Sequence, residues 1–163
     1  HERTSQELTA WSERDVLERL RRATRTFAKM MRRAVFEAQP IIRRHHADAD
    51  GISAAVAVEQ AVIALMREEG DDLDTAYYLF KRSPSKAPFY EIEDITRDLD
   101  FALKDHERFG QKMPLIVLMD NGSTEEDVPA MKMARIYSLP MIVADHPHRD
   151  AIVDECAMVH VNP

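Results

Sequence analysis

Over residues 44–53 the chain reads Arg-His-His-Ala-Asp-Ala-Asp-Gly-Ile-Ser, crowding two imidazoles and two carboxylates into a few positions. Pro40-Ile41-Ile42 leads into this stretch and a run rich in Ala, Val, Ile and Leu over 54–65 follows it, the order of a strand, a tight turn and a helix. Side chains of an extended strand alternate, so His46, Asp48 and Asp50 would share one side. Three such groups with no apolar residue among them call for a neutralising cation, and a divalent metal ion is the obvious one. Taken alone, Asp-Ala-Asp-Gly also suits a solvated acidic turn.

Two further clusters stand directly after apolar segments. Leu115–Met119 runs into Asp120-Asn121-Gly122-Ser123, and Met141–Ala144 runs into Asp145-His146-Pro147-His148. Parallel strands would carry all three clusters to one sheet edge, the edge at which open α/β sheets bind ligands. A pocket of Asp and His there suits hard or borderline cations such as Mn²⁺ or Mg²⁺.

Read in order as H-x-D-x-D-G, then D-x-G, then D-H, the three segments resemble motifs I, II and III of the DHH phosphoesterase superfamily. The closing His160-Val161-Asn162-Pro163 and the long helix ahead of the first motif resemble its archaeal RecJ-like branch. The resemblance covers residues 40–163. It implies that His46 and Asp48 bind one metal ion and Asp50 a second, that Asp120 bridges the two, and that His146 also ligates, with Asp145 supporting it. The implied reaction is phosphodiester hydrolysis, in which two ions about 3.5–4 Å apart activate water for in-line attack on phosphorus and stabilise the leaving oxygen.

The chain departs from the family in two places. Pro147 stands where the family has a second histidine that meets the scissile phosphate, and His148, one position later, is the candidate to replace it. His148 and Asp145 are therefore the expected catalytic residues. The family's fourth motif and its substrate-binding C-terminal domain would lie beyond Pro163. Asp150, Asp154 and His160 are weighed as substitute ligands against surface or structural roles.

The elements that must position these groups form one domain by length, 163 residues with 45% hydrophobic and 31% charged content. Residues 1–10 read as a flexible lead. Residues 11–39 read as a basic amphipathic helix, capped by Ser12 with Asp15 three places on, whose apolar side includes Val16, Leu20, Phe27, Met31 and Val35. That side docks on the sheet or forms a dimer interface. Residues 40–163 read as the phosphoesterase-like domain, a Rossmann-like α/β fold with a mostly parallel sheet and flanking helices. Within it, a helix over 52–69 ends at Gly70, and Ser53 near its start either holds a phosphate oxygen or caps the turn. Aromatic content makes 75–80 a strand, followed by a Pro/Ser loop over 81–88 whose Lys81 and Arg82 would greet an anionic substrate. A helix over 91–109 stops at Gly110, and strands follow at 114–119, after Pro140, and at 157–161.

Charge is uneven beneath the net −7: residues 13–44 hold ten Arg and Lys against four Asp and Glu, while 45–163 hold eleven against twenty-three. The basic residues either track a phosphate backbone or lie on a solvated face or pair with the acidic body. Cys156 is the sole cysteine, so no internal disulfide forms. Apolar runs read as too short or interrupted for a bilayer, and no secretory signal is visible, which gives a cytoplasmic expectation with no membrane partner. The chain starts without Met and stops just after an apolar stretch, which reads as a fragment with impaired hydrolysis. The leading expectation is a metal-dependent phosphodiesterase or exonuclease acting on single-stranded DNA or RNA, or on short oligonucleotides. Its rivals are a weakened domain serving as a binding or scaffold module among replication or repair proteins, and a small-substrate phosphatase of pyrophosphatase or cyclic-dinucleotide type.

Overall fold

A computed structural model of the chain describes residues 2–70, 73–146 and 150–162. Its strands are β1 (Ile41–His46), β2 (Phe80–Ser85), β3 (Leu115–Met119), β4 (Met141–Ala144) and β5 (Val159–Val161), and its helices are α1 (Glu2–Phe36), α2 (Ala49–Glu68), α3 (Leu73–Leu79), α4 (Ile92–Phe109) and α5 (Val128–Ile136). All strand pairings are parallel, in the order β2-β1-β3-β4-β5. The order reverses between β1 and β3, and a crevice opens above the strand C-termini at such a reversal.

Period-two alternation sorts the core into two layers. On β3, Leu115, Val117 and Met119 pack with Met31 and Val35 of α1 and Val62 and Met66 of α2. Ile116 and Leu118 pack on the opposite face with Ile95 and Leu99 of α4 and Met131 of α5. A strand covered on both faces is apolar at every position, which is why β3 reads as a continuous run.

Strand β1 breaks that pattern. Arg43 and Arg44, at its centre, are 3% and 2% exposed. The Arg44 guanidinium donates to Asp94 Oδ1 at 2.7 Å and to both oxygens of Asp98, and the Tyr90 hydroxyl donates to Asp98 Oδ2 at 3.0 Å. Arg43 projects to the other face, where it donates to Glu59 Oε2 at 3.1 Å and to the Ala55 carbonyl of α2. A buried guanidinium is tolerated only when paired and hydrogen-bonded in this way. By sequence both arginines count with the basic stretch; in the fold they fasten a helix to each face of the sheet.

Four expectations need correction. Helix α1 is continuous from Glu2, so it passes Ser12 without starting there and takes in residues 2–10 read as a flexible lead. Residues 75–79 lie in α3 rather than in a strand, with Tyr77 and Tyr78 76% and 62% exposed. The strand is instead Phe80–Ser85, in what reads as a loop; as the sheet's edge strand it accommodates Pro84, which has no N–H to give a neighbour. Finally, α2 is long and apolar enough by composition to cross a bilayer. Here its buried face, Gly51, Ala55, Glu59, Val62 and Met66, packs on the sheet and on α1. Helix α1 itself docks on the sheet layer through buried Met31, Ala34 and Val35.

Candidate metal centre

His46 is the last residue of β1, and Asp48 caps α2, its Oδ1 accepting from the Gly51 amide at 3.0 Å. Asp50 occupies the first turn of α2. The three groups therefore converge because the chain turns from strand into helix, not through the strand alternation expected from spacing. Gly51 makes that turn possible: a Cβ there would collide with the His46 carbonyl and lie 3.0 Å from Asp120 Oδ2.

Asp120 follows β3 with a left-handed backbone, φ 56°, and two residues later Gly122 has φ 94°. A Cβ on Gly122 would stand 2.8 Å from Leu118 Cδ1, so the loop needs glycine for both dihedral and space. The loop is fastened by its neighbours: Asn121 Nδ2 donates to Ser85 Oγ at 3.3 Å, and Ser123 Oγ lies 2.9 Å from His160 Nε2. After β4, the buried Asp145 accepts from the His146 amide at 2.8 Å and so shapes the turn that carries the His146 ring.

These turns bring His46, Asp48, Asp50, Asp120 and His146 together. His46 Nδ1 lies 2.9 Å from Asp48 Oδ2 and 3.7 Å from Asp120 Oδ2. His146 Nε2 lies 2.9 Å from Asp50 Oδ2 and 3.2 Å from Asp120 Oδ1. Asp120 thus turns one carboxylate oxygen to each side, a bridging posture between two groups of three. In each group, His46/Asp48/Asp120 and Asp50/Asp120/His146, the ligand atoms lie within 4.8 Å of one another.

The electrostatics fit a cation. Burial, reinforced by Asp48 and Asp50, pushes the Asp120 carboxyl up to about 6. The Gly51 amide holds Asp48 below the usual carboxylate range, and the hydrogen bond to Asp50 raises His146. Three carboxylates that share so small a space favour a divalent ion over three separate negative charges. The mixed His and Asp donors are of the kind that a divalent cation accepts. Asp50 and His146 are more than half exposed, so among the described residues the His146 side of the cluster faces solvent.

The substrate-binding candidates Ser53, Lys81 and Arg82 are engaged in contacts of their own. Ser53 spends its hydroxyl on the Ala49 carbonyl within α2. Lys81 pairs with Asp105 and Arg82 with Glu59; they are in register with Ile42 and Arg43, whereas His46 is in register with Ser85, so both lie below the binding edge. His148 lies outside the described residues. Asp150 Oδ2 accepts from the Glu125 amide at 3.0 Å, and His160 Nδ1 lies 3.3 Å from Asp154 Oδ1, so these groups brace the loop around Ser123. His45 is one position from His46 on β1 and so projects to the opposite sheet face. The sequence reading overlooked Arg44 and its carboxylates. Asp94 and Asp98, four residues apart and flanked by the core residues Ile95 and Leu99, were the available signal.

No protein-family model matches the chain. It is 48% identical over 155 residues to the uncharacterized protein MJ1198 of Methanocaldococcus jannaschii, an alignment that covers 91% of this chain and 20% of that protein. A solved structure described as "Member of s1p family of ribosomal proteins PF0399 DHH domain" matches with a TM-score of 0.86 and 49% identity, over 91% of this chain and 35% of that one. The likeness supports a DHH-type domain. The chain spans about a fifth and about a third of the lengths of these two proteins. A DHH-type domain in turn suggests divalent-metal dependence and chemistry of the phosphoesterase kind, and the His/Asp cluster supplies donors for it.

Proposed function

We propose that this domain is a metal-dependent phosphodiesterase of the archaeal RecJ-like DHH branch, located in the cytoplasm and acting on single-stranded nucleic acid or short oligonucleotides. The observation that carries the reading is the double use of Asp120, whose two oxygens face separate His/Asp pairs. His46 and Asp48 would hold one ion, Asp50 and His146 the other, and Asp120 both. Bound divalent ions, Mn²⁺ or Mg²⁺, supply water activation and stabilisation of the charge that develops on the phosphate.

The chain's own residues do the rest. Asp145 orients the His146 turn, Gly51 lets α2 approach the strand end, and the loop braced by Ser123 and His160 sets the angle of Asp120. The open His146 side admits a phosphodiester, and His148, placed next to that turn by sequence, would meet the scissile phosphate. The structural neighbour is described as a member of a ribosomal protein family, which makes RNA the first substrate to try.

A second reading, a weakened domain retained as a binding module among replication or repair proteins, draws on Pro147 directly after His146. The deciding experiment is Mn²⁺-dependent hydrolysis of a labelled single-stranded RNA or DNA oligonucleotide, with Asp120→Ala as control. Turnover that needs Mn²⁺ and disappears in the variant supports the first reading. Absence of turnover at any metal concentration, with strand binding retained, supports the second.

A further inference from the structure

Helix α1 joins β1 through residues 37–40, so its C-terminal end lies beside the N-terminal edge of the sheet, and the helix runs antiparallel to the strands. Followed backward from Phe36, it climbs toward the edge that carries the metal cluster. Helix α2 also runs antiparallel to β1, starting at that edge. Phe27 of α1 and Val58 of α2 line one groove, so the two helices keep level. About two and a half turns back lie Ala49 on α2 and Glu18 on α1, which sets the turns around Glu18 near the height of the cluster.

The face of α1 that looks away from the body is basic. With Phe27, Met31 and Ala34 turned inward, residues at i, i+4, i+8 and i+11 on the outer side are Arg21, Arg25, Lys29 and Arg32, all exposed. Among the described residues no acidic group of the body forms an ion pair with them, although Glu68 of α2 lines the same groove as Arg32. Arg21 reaches Glu18 of its own helix at 3.6 Å, Arg32 lies over Phe36, and Arg25 and Lys29 make no ion pair among the described residues. Over residues 15–36 there are seven Arg and Lys against two Asp and Glu, so a second copy of the same face would be repelled.

We infer that this outer ridge of α1 binds the phosphate backbone of a nucleic-acid strand and leads it toward the metal edge, a step that rests on the phosphodiesterase reading for its purpose but not for its test. The ridge spans about 17 Å, over which a stacked strand carries about five phosphates. Four point charges in line suit a repeating anion better than a single phosphate. They confer affinity without sequence preference.

The test is binding of a fluorescent single-stranded RNA of about 20 nucleotides, followed by anisotropy in EDTA at about 50 to 200 mM salt. The variant replaces Arg21, Arg25, Lys29 and Arg32 by Gln, a residue that keeps the helix. Loss of four phosphate contacts should make the slope of log K against log salt shallower by up to about 2.8, with at least roughly tenfold weaker binding at the lowest salt. The same slope and affinity in wild type and variant, or no strand binding by wild type, overturns the inference. A second measurement separates it from the active-site reading: with Mn²⁺, the variant should hydrolyse a dinucleotide as wild type does while losing efficiency on the long strand through KM. If neither protein hydrolyses anything, the phosphodiesterase reading fails and the anisotropy result still decides the ridge.

Discussion

Replacing Asp120 by Asn should stabilise the metal-free protein while destroying its metal response. Asp120 is held at about 6 against an ordinary 3.8, chiefly by burial and then by Asp48 and Asp50. In the native state it keeps its proton up to about pH 6, whereas in the unfolded chain it loses it near pH 4. The native state therefore binds more protons across that window, and stability falls as pH rises through it. A shift of about two units corresponds to roughly 3 kcal/mol. Asn shares part of the burial cost but none of the repulsion, which leaves a gain on the order of 2 kcal/mol above pH 7. For a chain of this size that is about 4–8 °C in Tm. Thermal melts in EDTA at pH 8 should show Asp120→Asn melting higher, with the gap closing near pH 4. Addition of Mn²⁺ should reverse the order, because an ion at 100 times its Kd would stabilise wild type by about 2.7 kcal/mol, whereas the variant lacks one of the carboxylates that would hold it. If Asp120→Asn melts at or below wild type in EDTA at pH 8, the account of a carboxylate cluster strained by its own charge is wrong.

Gly51→Ala should lower Mn²⁺ affinity at least tenfold by isothermal titration, since the added methyl meets the His46 carbonyl and crowds Asp120. Arg44→Met should cost about 3–5 kcal/mol in urea unfolding, as Asp94 and Asp98 are left buried without their cation. Because the bond to Asp50 raises His146, protons compete for its ring at higher pH than for an ordinary histidine. Mn²⁺ binding should accordingly weaken several-fold between pH 8 and pH 6, and His146→Ala should flatten that dependence.

Much of this protein is legible in one dimension. Segments such as Leu115–Met119, flanked by turn residues and followed by Asp-Asn-Gly-Ser, read as covered strands because apolar runs of that length have few other uses. The helix stop at Gly110 is likewise a local matter of a left-handed φ of 67°. The alternation of these elements is enough to give a parallel α/β sheet, and with it a single edge for His46, Asp48, Asp50, Asp120 and His146.

Pairing between distant segments is what the sequence withheld. Residues 75–85 carry both aromatic and loop-like signals, and only their position at the sheet edge made the Pro-containing half a strand and the tyrosines a surface helix. Arg43 and Arg44 look like surface charge, because nothing near them in sequence announces Glu59, Asp94 and Asp98. Which oxygen of Asp120 faces which histidine was likewise decided by the turn at Gly51 and the left-handed backbone of Asp120. Local propensity chooses elements, but desolvation makes a buried charge find its partner, and that choice is made only when the helices close onto the sheet.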